Sequence, residues 1–272
     1  MNEQIEEQNE EFGMAYLDSC DRPTLLLIHG FPLSSAMWEL QIEDLGDMVR
    51  VVAPDLRGHG RSGDTPPPYS VTMFADDCAD LLDYLAIPGP VIVGGLSMGG
   101  YVAFEFYRRY PERVAGLILA ATRAGADTPE GKAGRDKMAQ MAREEGVEAV
   151  AAAMLPKLLA PITYKEQTDV VEFVQEMMED TSLAGVLGAL AAMKERPDST
   201  PTLAEIDVPT LIIHGAEDQL IPVIEAQAMH KAIAGSQLVV LPDAGHMPNL
   251  EQPDEFADAV ADFLEQFLEE EE

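Results

Sequence analysis

The chain has 272 residues, 47% of them apolar and 24% charged, so it can bury a substantial core and is too hydrophobic to stay disordered. Its 49 Asp and Glu against 17 Lys and Arg leave a formal net charge of -32, a field that repels phosphate backbones and anionic membranes and argues against nucleic-acid or membrane partners. The acidic N-terminus lacks a signal-peptide pattern and no stretch approaches the roughly 20 apolar residues of a membrane span, so a soluble cytoplasmic protein is expected, its charge serving solubility or salt tolerance.

In chain order, residues 1–12 read as a solvated acidic tail and 12–18 as an antiparallel edge strand. Apolar runs at 24–28, 49–53, 91–93, 115–120, 210–213 and 238–241 are bounded by Gly, Pro, Asp or His and predict buried strands. Helical periodicity covers 71–85, 98–110, 224–233 and 253–267, and the closing LEEEE reads as a frayed helix end. Such alternation predicts a mostly parallel sheet with helices on both faces. It stops over 122–200, where Ala, Met, Lys and Glu dominate and Pro156, Pro161 and Pro197 break the pattern. That stretch predicts an insertion of three or four helices, making 1–121 and 201–272 a core domain and 122–200 a helical cap. The cap's Met138, Met141, Met154, Met177, Met178 and Met193 either fill core space or line an adaptable apolar pocket. Cys20 and Cys78 make neither a disulfide framework nor a metal cluster and read as free thiols.

The strongest local signal is a strand, then Gly95-Leu96-Ser97-Met98-Gly99, then an amphipathic helix. A serine hydroxyl is a poor nucleophile and must stand where a base can reach it, which a sharp strand-to-helix turn achieves. Of the five histidines, His29 and His214 end apolar strands, His59 lies in a Gly-rich loop and His230 inside a helix. His246 follows the last predicted strand, on a loop able to lean over the carboxyl ends of the central strands. The orienting acid should lie between them, after the penultimate strand; Asp218 is chosen, with Glu217 as its alternate. The loop His29-Gly30-Phe31-Pro32 supplies one oxyanion donor, the Phe31 N–H, because Pro32 has none; the Met98 N–H supplies the other. Phe31 and Trp38, with cap Met or Leu residues, are expected to line an apolar pocket. The net charge disfavours anionic substrates, although Arg123, Lys132, Arg135 and Lys137 could form a local positive patch.

Taken together, HGFP, DLRGHGRS, GLSMGG, HGAED and GHMPNLEQP resemble the α/β-hydrolase superfamily across almost the whole chain. The resemblance implies an α/β-hydrolase fold with a mostly parallel sheet of about eight strands, flanked by helices, and a cap inserted at about 122–200. Dehalogenase and epoxide-hydrolase members carry Asp at the nucleophile position, so Ser97 argues against both. Among serine members the chain looks like carboxylesterases, enol-lactonases and cofactor-free haloperoxidases, or perhydrolases. HGFPLSSAMW is most similar to the last group, in which a Pro at the position of Pro32 is associated with hydrogen peroxide replacing water. The expectation is a serine hydrolase of small carboxylic esters, needing no cofactor or metal, with perhydrolysis as a side activity. Lactones, carbon–carbon bonds, or a slow ligand-binding receptor are the alternatives on the same scaffold.

Overall fold

Runs such as Thr24–Ile28 bury every side chain, which a strand achieves only when both faces of its sheet are covered. The computed structural model describes residues 5–8, 14–18 and 23–268. It contains β1 (Ile5–Gln8), β2 (Ala15–Asp18), β3 (Thr24–Ile28), β4 (Arg50–Pro54), β5 (Val91–Leu96), β6 (Val114–Ala120), β7 (Thr210–Gly215) and β8 (Gln237–Leu241). They form one sheet in the order β1-β2-β4-β3-β5-β6-β7-β8. β2 pairs antiparallel with both β1 and β4, and the pairings from β4 across to β8 are all parallel. The α/β architecture, the strand number and the antiparallel strand near the edge are as expected. The acidic tail is a correction: Ile5–Gln8 forms the edge strand, with Ile5 opposite Asp18. Its sequence, IEEQ, carries no apolar alternation, so only main-chain pairing with β2 reveals it. The remainder of that tail, Cys20 and residues 269–272 lie outside the described residues.

Helices α1 (Glu39–Leu45), α2 (Val71–Tyr84) and α3 (Met98–Arg109) precede the insertion. Between β6 and β7 come α4 (Pro129–Glu145), α5 (Val147–Met154), α6 (Thr163–Glu166), α7 (Thr168–Glu179) and α8 (Leu183–Glu195). That is five helices where three or four were expected; α6 is a single turn, too short to show periodicity. After β7 follow α9 (Val223–Ala232), α10 (Pro248–Glu251) and α11 (Pro253–Leu268). Side chains of α2, α3 and α9 bury one face of the sheet against Leu26, Ile28 and Val93. Those of α1 and α11 cover the other, against Leu25, Leu27 and Ile92. On α11, Phe256, Val260, Phe263 and Leu264 recur at helical spacing and bury one stripe, each worth about 1.5–3 kcal/mol. Cys78 is a buried free thiol on α2. No helix among the described residues is long and apolar enough to cross a membrane.

The insertion is tied down over the sheet by its own polar groups. The Ser182 hydroxyl caps α8 by accepting from Gly185 N (2.9 Å) and donates to Gly58 O (3.1 Å) in the loop after β4. Thr181 donates to Pro32 O at 3.0 Å, joining the insertion to the loop after β3.

Candidate active site

Because β3 has β4 on one side and β5 on the other, the loops after β3 and β5 diverge and leave a crevice at their carboxyl ends. Ser97 stands there. It sits between β5 and α3 with φ 56° and ψ -108°, a left-handed conformation costing a non-glycine residue about 1–3 kcal/mol. Neighbours hold the turn: Ser97 N donates to Ala120 O (2.9 Å), and the Thr122 hydroxyl donates to Ser97 O (2.8 Å). A Cβ on Gly95 would strike the Gly99 backbone, and one on Gly99 would strike Ile28 O, so the turn requires glycine at both.

His246 follows β8, and its N–H donates to Leu158 O at 2.7 Å. Its ring Nδ1 lies 2.7 Å from Asp218 Oδ2. Asp218 follows β7, and its Oδ1 accepts from Leu220 N (2.8 Å) and Ile221 N (2.9 Å). Burial raises the Asp218 carboxyl, but His246 and the Ile221 amide outweigh it and hold it below the ordinary carboxylate range. An ionised carboxylate only accepts, so Nδ1 carries the proton of this contact and Nε2 is the ring nitrogen left out of it. The alternate acid, Glu217, is exposed. His214 Nε2 approaches Asp218 Oδ2 only at 3.4 Å and lies 2.7 Å from Ile221 O. Burial lowers its pKa, so the imidazole is neutral and donates to that carbonyl.

Ser97 and His246 open onto one cavity of about 200 Å³, with Phe31, Tyr101 and Ile221. Met138, Met154 and Met193 also line it, whereas Met177 and Met178 are buried elsewhere and Met141 packs against the core. Met98 is the first residue of α3, where N–H groups have no intrahelical partner. The loop carrying Phe31 is braced from below by His29, whose Nδ1 lies 2.7 Å from Gly30 O while Nε2 accepts from Leu56 N (3.0 Å). Burial lowers the His29 pKa to about 4, keeping it neutral in that role.

Trp38 does not line the cavity. It is 1% exposed in the core on the α1–α11 side of the sheet, its ring 6.1 Å from Phe256. The turn at Ser35–Trp38 carries it there, and sequence proximity to Phe31 says nothing about which face a side chain takes. Of the four cations named from sequence, Arg123 and Arg135 reach the cavity, while Lys132 pairs with Glu195 at 3.3 Å and Lys137 is exposed outside it. Five lining residues were missed: Tyr101, Ala153, Lys157, Leu220 and Ile221. Tyr101 was within reach of sequence reasoning, because it lies one helical turn beyond Ser97. Glu251 was missed as well. Its carboxylate is 1% exposed and accepts from Gly245 N (2.8 Å) and Met247 N (3.1 Å), on either side of His246. It also accepts from Ala160 N (2.6 Å) and Thr163 Oγ1 (2.7 Å), joining the His246 loop to the insertion. Burial pushes its carboxyl up and these four donors pull it back part of the way.

Residues 25–259 match the model of the alpha/beta hydrolase family. The chain belongs to that family. It is 31% identical over 260 residues to 3-oxoadipate enol-lactonase 2 of Acinetobacter baylyi, covering 96% of this chain and 95% of that protein. A thermophilic esterase from Thermogutta terrifontis superposes with a TM-score of 0.91 at 43% identity, over 93% of each chain. The enol-lactonase from Burkholderia xenovorans superposes at 0.85 and 30% identity, over 92% of this chain and 96% of that one.

The hydrolase has a larger cavity as well, of about 580 Å³, between Leu17, Ser35, Glu39 and the Phe173–Met177 side of α7. None of Ser97, Asp218 or His246 lines it, whereas Ser97 and His246 both line the smaller one.

Beside that smaller cavity, Asp127 holds three guanidinium groups: Arg123 Nη2 at 2.7 Å, Arg196 Nη1 at 2.8 Å and Arg135 Nε at 3.1 Å. Burial raises its carboxyl, but Arg135 and Arg196 outweigh that and hold it below the ordinary range. Its stabilisation is therefore full above about pH 4 and lost as pH falls through the depressed value. Asp127→Asn is expected to cost about 3–5 kcal/mol at neutral pH, because the arginines lose the anion they share. Thermal unfolding of both proteins from about pH 7 down to pH 3 checks this. The gap should close only at the acid end, and a gap independent of pH would mean the carboxylate contributes shape rather than charge.

Proposed function

We propose that this hydrolase cleaves carboxylic esters through an acyl-enzyme, with Ser97 as nucleophile, His246 as base, Asp218 as orienting acid and residues 122–200 as a cap over the site. One observation carries the reading: Ser97 and His246 face the same cavity while Asp218 occupies the other ring nitrogen of His246. His246 Nε2 takes the Ser97 proton as Oγ bonds to the carbonyl carbon. The N–H groups of Phe31 and Met98 hold the oxyanion, at a helix N-terminus that favours negative charge. As the ester C–O bond breaks, His246 returns the proton to the leaving alcohol. Water, deprotonated by His246, then attacks the acyl-enzyme and releases acid and free Ser97. Each step is completed by these side chains, the ester and water. Hydrogen peroxide in place of water at the second step would release a peracid, the side activity suggested by Pro32.

A lactone is the second reading, favoured by the likeness to two enol-lactonases. The chemistry is the same, except that the leaving alcohol stays tethered to the acyl group.

An alkyl fluorophosphonate tests the proposal directly. It should label the protein once, on the peptide containing Ser97, and should leave the Ser97→Ala protein unlabelled. Labelling at another residue, or none, would show that Ser97 is not an activated nucleophile.

A further inference from the structure

We propose that the substrate carries a free carboxylate, bound by Arg123, Arg135 and Lys157 on the wall of the cavity while Ser97 attacks an ester carbonyl of the same molecule. This rests on Ser97 being the nucleophile, but the argument for it is separate. Acidic residues outnumber basic ones 49 to 17 in the chain, yet the cavity is lined by Arg123, Arg135 and Lys157 and, among the described residues, by no Asp or Glu. The local charge is thus opposite in sign to that of the whole protein.

A purely structural account would have the arginines serve Asp127 alone. Arg196 fits that account. Its side chain is 2% exposed, its Nη atoms donate to Met193 O and Gly125 O at 2.8 Å each, and its guanidinium lies 4.0 Å over the Tyr101 ring. Arg123 and Arg135 do not fit it. All three guanidinium groups share the one Asp127 carboxylate, and Arg123 and Arg135 form no other ion pair among the described residues. The Arg123 and Arg135 side chains stay 28% and 22% exposed and line the cavity. Lys157 is exposed and joins no ion pair among the described residues. Guanidinium groups match planar carboxylates, and such contacts survive salt because they act well inside the Debye length of about 8 Å. The long-range repulsion from the acidic surface is screened over the same distance.

Size narrows the substrate. A cavity of about 200 Å³ lies below the roughly 300–1,000 Å³ usual for small-molecule sites, so the molecule is compact. A short half-ester of a dicarboxylic acid fits, as does a small lactone bearing a carboxylate.

Monomethyl glutarate and methyl pentanoate form the test pair, the same ester chain ended by a carboxylate in one and by a methyl group in the other. For the wild type, acid release at constant pH should give a kcat/KM about 10- to 100-fold higher for the half-ester, the range expected of a charge-assisted contact. The same order should appear when each is titrated calorimetrically into the Ser97→Ala protein. Arg123→Gln, Arg135→Gln and Lys157→Gln should each shrink the preference, mainly through KM, and Lys137→Gln, outside the cavity, should keep it. Lys157→Gln removes no ion pair among the described residues, and an unchanged thermal unfolding midpoint separates its effect from loss of folding. If methyl pentanoate binds and reacts as well as the half-ester, the proposal fails while fluorophosphonate labelling of Ser97 still stands. If the half-ester binds selectively but Ser97 is not labelled, the nucleophile assignment fails and the anion site remains.

Discussion

Ser97→Ala is expected to lower kcat for ester hydrolysis by about 10⁴- to 10⁶-fold while the protein remains folded. The loss is large because nucleophile and base act as a unit: without Oγ, His246 has no proton to take and no acyl-enzyme forms. The fold should survive because the contacts that hold the turn use the Ser97 backbone, its N–H to Ala120 and its carbonyl from Thr122, and alanine keeps both. Circular dichroism and thermal unfolding establish the fold, and steady-state kinetics with a short-chain ester measure the rate. A variant that kept more than about a tenth of wild-type activity would place the nucleophile elsewhere.

Asp218→Asn should cost about 10³- to 10⁴-fold in kcat with little effect on folding. Asparagine can still accept from the Leu220 and Ile221 amides through its oxygen, so the turn after β7 is preserved. Its NH₂ then faces His246 Nδ1 and can only donate. The imidazole proton is driven to Nε2, the atom that must accept from Ser97. The Asp218 carboxyl lies below the ordinary range, so it is ionised at and above neutral pH. Raising pH above neutral should therefore not restore the variant relative to wild type. Glu217→Gln, on an exposed neighbour, is the control and should remain near wild type. Damage from Glu217→Gln with a harmless Asp218→Asn would move the acid by one residue.

Much of the architecture was legible along the chain, because what specifies it is local. A run such as Leu25-Leu26-Leu27-Ile28 is apolar on both sides of the backbone, which commits it to the middle of a sheet. The turn at Ser97 depends on glycines two residues away on either side, and Ser70 caps α2 by accepting from Met73 N, three residues on, at 3.1 Å. Less was legible where short elements rest on tertiary contacts. Ile5–Gln8 has no apolar pattern, and α6 and α10 span four residues each, too few for a helical period to show.

The candidate site divides in the same way. Residue types at strand ends selected Ser97, Asp218 and His246, since loops after parallel strands gather at one edge of the sheet. Whether Asp218 or Glu217 faces His246, 28 residues further on, depended on which side chain the turn after β7 buries, and only the packed loop decides that. Trp38 illustrates the same limit: its neighbour in sequence, Phe31, reaches the cavity, and Trp38 is carried to the opposite face. The chain by itself determined the buried strands of the sheet, the tight turn at Ser97 and a net charge of -32. The folded insertion decided that Arg123, Arg135 and Lys157 would face Ser97, because side chains up to 60 residues from it in the chain meet only when α4 and α5 pack back over the sheet.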